Sequence, residues 1–127
     1  MIQIGYVLSG LIAAAILFLG ARFWLAPATA SAAFGIANSP SSSTGFAAWL
    51  SVKGTRDSAS GVFVMLLMTN GSPRLLGEFM LVASLIAFGD MATVLRSRGS
   101  RALAFGMHGL TGLVIVATGA CLIVGAK

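Results

Sequence analysis

Apolar residues run along this chain in four long, nearly unbroken stretches, at about residues 4–25, 46–68, 75–95 and 103–124, with short polar segments between them. Each stretch reaches the roughly 20 residues that an α-helix needs to cross a hydrocarbon core about 30 Å thick. Lipid offers no partner to an exposed backbone N–H or C=O, so runs of this length predict helices that satisfy their own backbone. The expected fold class is therefore all-α: an integral membrane, antiparallel four-helix bundle that fills residues 1–127 as a single transmembrane domain.

The polar segments sharpen this picture. The first connector, APATASAAFGIANSPSSSTG, holds Pro27, Pro40 and a serine cluster with little charge. It is expected to be irregular and to lie on the surface or among the lipid headgroups, with Trp24 and Trp49 in an interfacial aromatic belt. The second, TNGSPR, reads as a tight turn in which Asn70-Gly71 reverses the chain, Ser72 caps and Pro73 opens the next helix. Small residues of the cleavage type follow the first stretch in APATASAA. That stretch is nevertheless read as a span, because Met1-Ile2-Gln3 lacks the positive charge of a signal peptide and the run is long enough to cross.

Composition agrees. The chain is 57% hydrophobic and 9% charged, against about 25% charged residues in an ordinary soluble domain. The net charge of +5 raises the question of nucleic acid. Arg96, Arg98 and Arg101, however, sit in the short RSRGSR connector, where the positive-inside rule expects them. The expected partner is the lipid bilayer, with no nucleic acid. Arg22, Arg96, Arg98 and Arg101 fall on one side and Arg74 and Lys127 on the other, so the first side is expected to be cytoplasmic and both termini to lie outside the cytoplasm. Cys121 is the single cysteine and His108 the single histidine. No disulfide, metal site or cofactor is expected from them, and Cys121 reads as a small packing residue.

The ionisable residues inside the spans carry the most information. Asp57 lies 13 residues before Asn70 at the outer edge, which at about 1.5 Å per residue puts it roughly 10 Å below the cytoplasmic boundary. Asp90, six residues before Arg96, and His108, seven after Arg101, reach about the same depth on their own helices. Charges within spans cost at least about 2.5 kcal/mol near the centre, so they face the interior and pair. Arg56, Asp57, Asp90 and His108 are thus expected to form one buried network. Two pairings stay open: Arg56 with Asp90 and Asp57 with His108, or the reverse. Lys53, one turn outward at i−4 from Asp57, either joins the network or extends to the headgroups. Gly54, Asp57 and Gly61 share a face suited to close helix approach, as do Gly106, Gly109 and Gly112. Glu78 is expected to pair with Arg74 at the outer surface.

In the functional reading, Arg56, with Lys53 beside it, binds the ligand as an anion clamp; His108 is the general acid or base, and Asp57 or Asp90 orients it. The competing reading is an internal salt bridge that sets helix register. Covalent catalysis is not expected, because no serine sits in a nucleophile elbow and Cys121 lies toward the opposite membrane face from His108.

The segments RFWLAP, AAFGI, VKGTRDSASG, FGDMATVL and HG, in this order, resemble the pattern of a family of small four-span bacterial and fungal integral membrane proteins known as a domain of unknown function. The match involves Arg22, Pro27, Phe34-Gly35, Lys53-Gly54, Arg56-Asp57, Gly61, Gly89-Asp90 and His108-Gly109. In that family a proline commonly follows soon after the Phe-Gly pair; here Ile36-Ala37 follows and Pro40 comes later. The wider architecture is similar to that of DoxX-type membrane proteins. The resemblance implies a bacterial inner membrane location and signature positions at the polar residues; it implies no reaction. The leading expectation is a pocket in the cytoplasmic-side leaflet that binds a lipophilic small molecule, with acid/base isomerisation or cyclisation as the enzyme class that requires no cofactor. The alternatives are a small proton-coupled transporter and a non-catalytic accessory subunit, as a homo-oligomer or within a larger membrane complex.

Overall fold

The computed structural model describes residues 1–36 and 43–127. Among them the chain forms α1 (Ile2–Leu25), α2 (Pro27–Phe34), α3 (Thr44–Asn70), α4 (Pro73–Arg96) and α5 (Arg101–Gly125), with no strand. The first turns of α5 include a π-helical segment, Ala104–Gly109. Pro40, with Ser39, Ser41 and Ser42 of the serine cluster, lies outside the described residues.

Serines start three of these helices. Ser43, Ser72 and Ser100 each accept the backbone N–H three residues on, from Phe46, Leu75 and Leu103, which satisfies a donor that the first helical turn would otherwise leave free. The TNGSPR segment behaves as its sequence requires: Gly71 ends α3, Ser72 caps and Pro73 occupies the first turn of α4.

The first connector departs from expectation, because its beginning is helical. Pro27 disfavours helical geometry at the residue before it, so α1 stops and Ala26 takes φ −143° and ψ 60°. The same proline is well suited to the first position of a new helix. Helix α2 then ends at Gly35, in the left-handed conformation with φ 96°. Ala30, Ser31 and Phe34 are buried, so this segment is packed against the other helices.

Glycine contacts show that neighbouring long helices run antiparallel. Along α1 and α3, Gly10 meets Met68, Gly61 meets Ala13 and Leu17, and Gly20 meets Ser58 and Gly54. On α4 and α5, Gly77 meets Gly119 and Phe88 lies on Gly112; on α1 and α5, Leu122 covers Gly5. The expected Gly54 and Gly61 face is therefore a close helix contact. Of the three glycines on α5, Gly109 and Gly112 pack on Met91 and Phe88, whereas Gly106 faces open space.

One end of the assembly gathers the close of α1, all of α2, the start of α3 and the Arg96–Arg101 connector. The Ser100 backbone N–H donates to the Gly35 carbonyl at 2.9 Å, which ties the first connector to the third. At the other end Ile2 lies on Gly125, the Cys121 thiol approaches the Met1 carbonyl at 3.3 Å, and Arg74 pairs with Glu78 at 3.0 Å as expected.

Helices α1, α4 and α5 are long and apolar enough to cross a membrane; α3 has the length, at 27 residues, but carries Lys53, Arg56 and Asp57. Large apolar side chains point outward from all four long helices, among them Val7, Phe18, Phe63, Leu85 and Leu113. Soluble monomers rarely expose contiguous apolar patches beyond a few hundred Å², so this surface is that of a membrane-associated protein.

A Cβ placed on Gly20 would sit 2.8 Å from the Ser58 backbone nitrogen and 2.9 Å from the Gly54 carbonyl oxygen. Gly20→Val is accordingly expected to destabilise the fold by about 1–3 kcal/mol, as overpacking does. A Cβ placed on Gly89 would meet no other side chain or helix within 4 Å, and Gly89→Ala should stabilise its helix by roughly 0.5–1 kcal/mol. Unfolding curves in detergent distinguish the two; a Gly20→Val protein as stable as wild type would contradict the α1–α3 contact.

Candidate functional site

Three charges on one apolar helix must find partners, and α4 supplies the one that α3 lacks. The Lys53 ammonium donates to Asp57 Oδ2 at 2.8 Å and to Asp90 Oδ2 at 3.0 Å. Arg56 donates to Asp57 Oδ1 through Nε at 3.1 Å and Nη2 at 3.0 Å, and reaches Asp90 at 3.3 and 3.4 Å. Two cations thus close a ring with two carboxylates, and the cluster is neutral. Of the two cations Lys53 is the more buried, with a side chain 17% exposed against 44% for Arg56. Since its contact with Asp90 is also the shorter one, Lys53 is the stronger tie between α3 and α4.

Aromatic rings complete the Lys53 environment. Its Nζ lies 5.1 Å from the centre of the Phe23 ring and 4.8 Å from that of Phe34, both within the roughly 6 Å reach of a cation–π contact. An ammonium has three donors. Two are taken by the carboxylates, and the aromatic faces serve the remaining side of the group.

Phe34 is also the link to His108. As the last residue of α2, it has a carbonyl with no partner further along the helix, and His108 Nε2 lies 3.0 Å from that oxygen. The two rings stand 4.6 Å apart between centres. A carbonyl can only accept, so Nε2 carries the proton, and in the neutral ring Nδ1 is left as an acceptor. Nδ1 has no hydrogen-bond partner among the described residues. His108 sits in the π-helical segment, where the Leu110 N–H reaches back to Phe105 O. Such single-turn widenings recur at functional sites because they re-aim side chains.

These groups form one end of a cavity of about 160 Å³. Its polar end includes Arg22, Lys53, Asp57, Asp90 and His108, and its body runs between the long helices to Val64, Met80 and Ile115. The depth argument from sequence is met to this extent: Asp57, Asp90 and His108 all line one cavity. The pairing of Asp57 with His108 is not made, nor is that of Asp90 with His108. Arg56 serves both carboxylates, folding back on its chain neighbour Asp57 as well as reaching Asp90. The reading of Lys53 as headgroup-directed gives way to Lys53 as the centre of the cluster.

Residues 13–122 match the family described as a domain of unknown function (DUF4267). The chain belongs to this family. The DUF4267 match spans every residue of the cluster and cavity named above, from Arg22 to Ile115. No curated protein and no solved structure matches the chain, and the looser DoxX-type likeness gains no support from the family match.

Sequence reasoning gave Phe23 and Phe34 no part in the site and counted Arg22 as a topological charge and a position of the family resemblance, without a role in the cavity. The signal was present in RFWLAP and AAFGI: Pro27 at a helix start, Gly35 just past its end, and an aromatic residue beside each.

Lys53→Met and Asp90→Asn each leave a partly buried charge uncompensated, and each is expected to destabilise the fold by on the order of 3 kcal/mol. The double variant should fall short of the summed losses by about 0.5–3 kcal/mol. Strictly additive losses in denaturant titrations would mean that Lys53 does not bridge α3 and α4.

Proposed function

We propose that α1, α3, α4 and α5 form a membrane-spanning, antiparallel four-helix bundle, a single domain whose cavity binds a lipophilic small molecule. The observation that carries this reading is the cavity itself: apolar along its body, polar at one end, and lined from all four long helices and α2. Ligand sites are commonly mostly apolar with a few fixed polar groups, and occur between the helices of bundles. The Arg22, Arg96, Arg98 and Arg101 end is assigned to the cytoplasm of a bacterial inner membrane by the positive-inside rule, which puts both termini outside. Trp24 and Trp49, both exposed near that end, suit the interface.

Within the pocket the roles divide. The carboxylates of Asp57 and Asp90 are each held by two cations and serve as scaffold. His108 Nδ1 is the basic atom left to act on a ligand, with the Phe34 carbonyl fixing its tautomer. This supports an acid/base reaction, isomerisation or cyclisation, with His108 as the base. The engagement of both carboxylates by Lys53 and Arg56 counts against a proton-coupled transporter. It favours, as the second reading, a structural role in which the ion cluster locks α3 to α4 within a larger assembly.

An organic extract of the purified protein is expected to contain a lipophilic molecule identifiable by mass spectrometry, and Ala83→Phe, which fills the cavity, should lose it. Extracts that do not differ would remove the binding function. With that molecule as substrate, His108→Ala should abolish turnover while leaving the protein folded; unimpaired turnover would rule out His108 as the base.

A further inference from the structure

The chain has eight cations and three acids, and the structure accounts for all three acids. Asp57 and Asp90 hold Lys53 and Arg56, and Glu78 holds Arg74. Arg22, Arg96, Arg98, Arg101 and Lys127 are left with no acidic partner among the described residues. Of these five, only Arg22 lines the cavity. It stands in the last turn of α1, one residue before Phe23, whose ring faces Lys53. The guanidinium of Arg56, the anion clamp expected from sequence, is committed to two carboxylates and does not line the cavity. The pocket therefore combines an apolar body, a neutral ion cluster and one uncompensated positive charge.

We propose that the cavity takes an amphiphile with a single negative charge, a monocarboxylate on an apolar body, and that Arg22 holds its head. This rests on the ligand-binding reading of the cavity and narrows it. One unpaired cation matches one negative charge. Guanidinium meets a carboxylate through two parallel N–H donors, a geometry that ammonium lacks. A phosphate monoester, with a charge of about −1.5 to −2 near neutral pH, would leave excess negative charge beside Asp57 and Asp90. The volume of about 160 Å³ is close to that of a cavity of about 150 Å³ that accommodates benzene, so the enclosed part of the ligand is small. His108 Nδ1 in this arrangement can take a proton from the carbon skeleton or a hydroxyl of the ligand, while Arg22 keeps the carboxylate in place.

The test is calorimetric titration of the full chain in an uncharged detergent with octanoate and, separately, 1-octanol. Octanoate should bind about tenfold or more tightly than the alcohol, the effect of one charge-assisted contact. Arg22→Gln should abolish that preference and Arg22→Lys keep part of it; comparing each variant with wild type in the same detergent cancels ligand partitioning into micelles. Equal binding of acid and alcohol by wild type would overturn the anionic head while leaving the cavity reading in place. A preference that survives in Arg22→Gln would overturn the role of Arg22. Failure of both ligands to bind would overturn the proposal together with the cavity reading. Should Arg22→Gln not fold, carboxyl-labelled octanoate bound to wild type gives the same answer by carbon-13 NMR. Beside Arg22 its carboxyl should titrate below the free acid, whereas an apolar pocket alone raises it, and a raised value would overturn the proposal.

Discussion

A single ammonium group, that of Lys53, sets the terms for the rest of this structure. It lies in a helix otherwise suited to an apolar environment, and an uncompensated charge there would be expelled or neutralised. Two carboxylates from different helices and two aromatic faces surround it instead. Asp57 is one turn along α3, so it requires no tertiary contact; Asp90 requires that α4 stand in one register against α3. Phe23 and Phe34 require that α1 end where it does and that α2 turn back over the site. The arrangement of α1, α2, α3 and α4 at the basic end follows from keeping that one charge paired.

The site then separates into parts with different chemical freedom. The Lys53, Arg56, Asp57 and Asp90 cluster is neutral and internally satisfied, so its members have little capacity left for a ligand. His108 and Arg22 are the groups with capacity: an imidazole nitrogen with no hydrogen-bond partner among the described residues, and a guanidinium with no counter-ion there. A scaffold of opposed charges beside one base and one cation is consistent with a small membrane pocket that recognises an amphiphile by its polar end and does acid/base chemistry on it. Membership of a family of unknown function neither supplies nor restricts that chemistry, because function belongs to the arrangement of side chains and not to the fold that carries them.

Much of the architecture could be read from the chain because long apolar runs leave so few backbone solutions. The long helices, the Asn70–Pro73 turn, the Arg74–Glu78 pair and the close approach at Gly54 and Gly61 follow from local rules of length, capping and residue size. The shared level of Asp57, Asp90 and His108 could be read as well, since a helix rises by a fixed amount per residue and the long helices alternate in direction. Helix α2 escaped because alanine, serine and threonine between two prolines look like a loop, although Pro27 and Gly35 mark helix ends. His108 was assigned to the wrong kind of partner because counting residues gives depth but no azimuth, and the π-helical turn at Ala104–Gly109 changes azimuth without changing composition.

The amino-acid sequence by itself determined that this chain is helical, that it suits an apolar solvent, and that the carboxylates within its apolar runs must find partners at one level. These are consequences of periodicity and solvation, which act on each segment separately. Only the tertiary structure decided which charges pair, that Lys53 and not Arg56 is the more buried cation, that a backbone carbonyl at Phe34 accepts a hydrogen bond from His108, and that Arg22 lines the cavity with no counter-ion among the described residues. Those outcomes depend on the rotation of each helix about its axis and on the fold-back of α2, both set by packing between segments distant in the chain, for which no local rule exists.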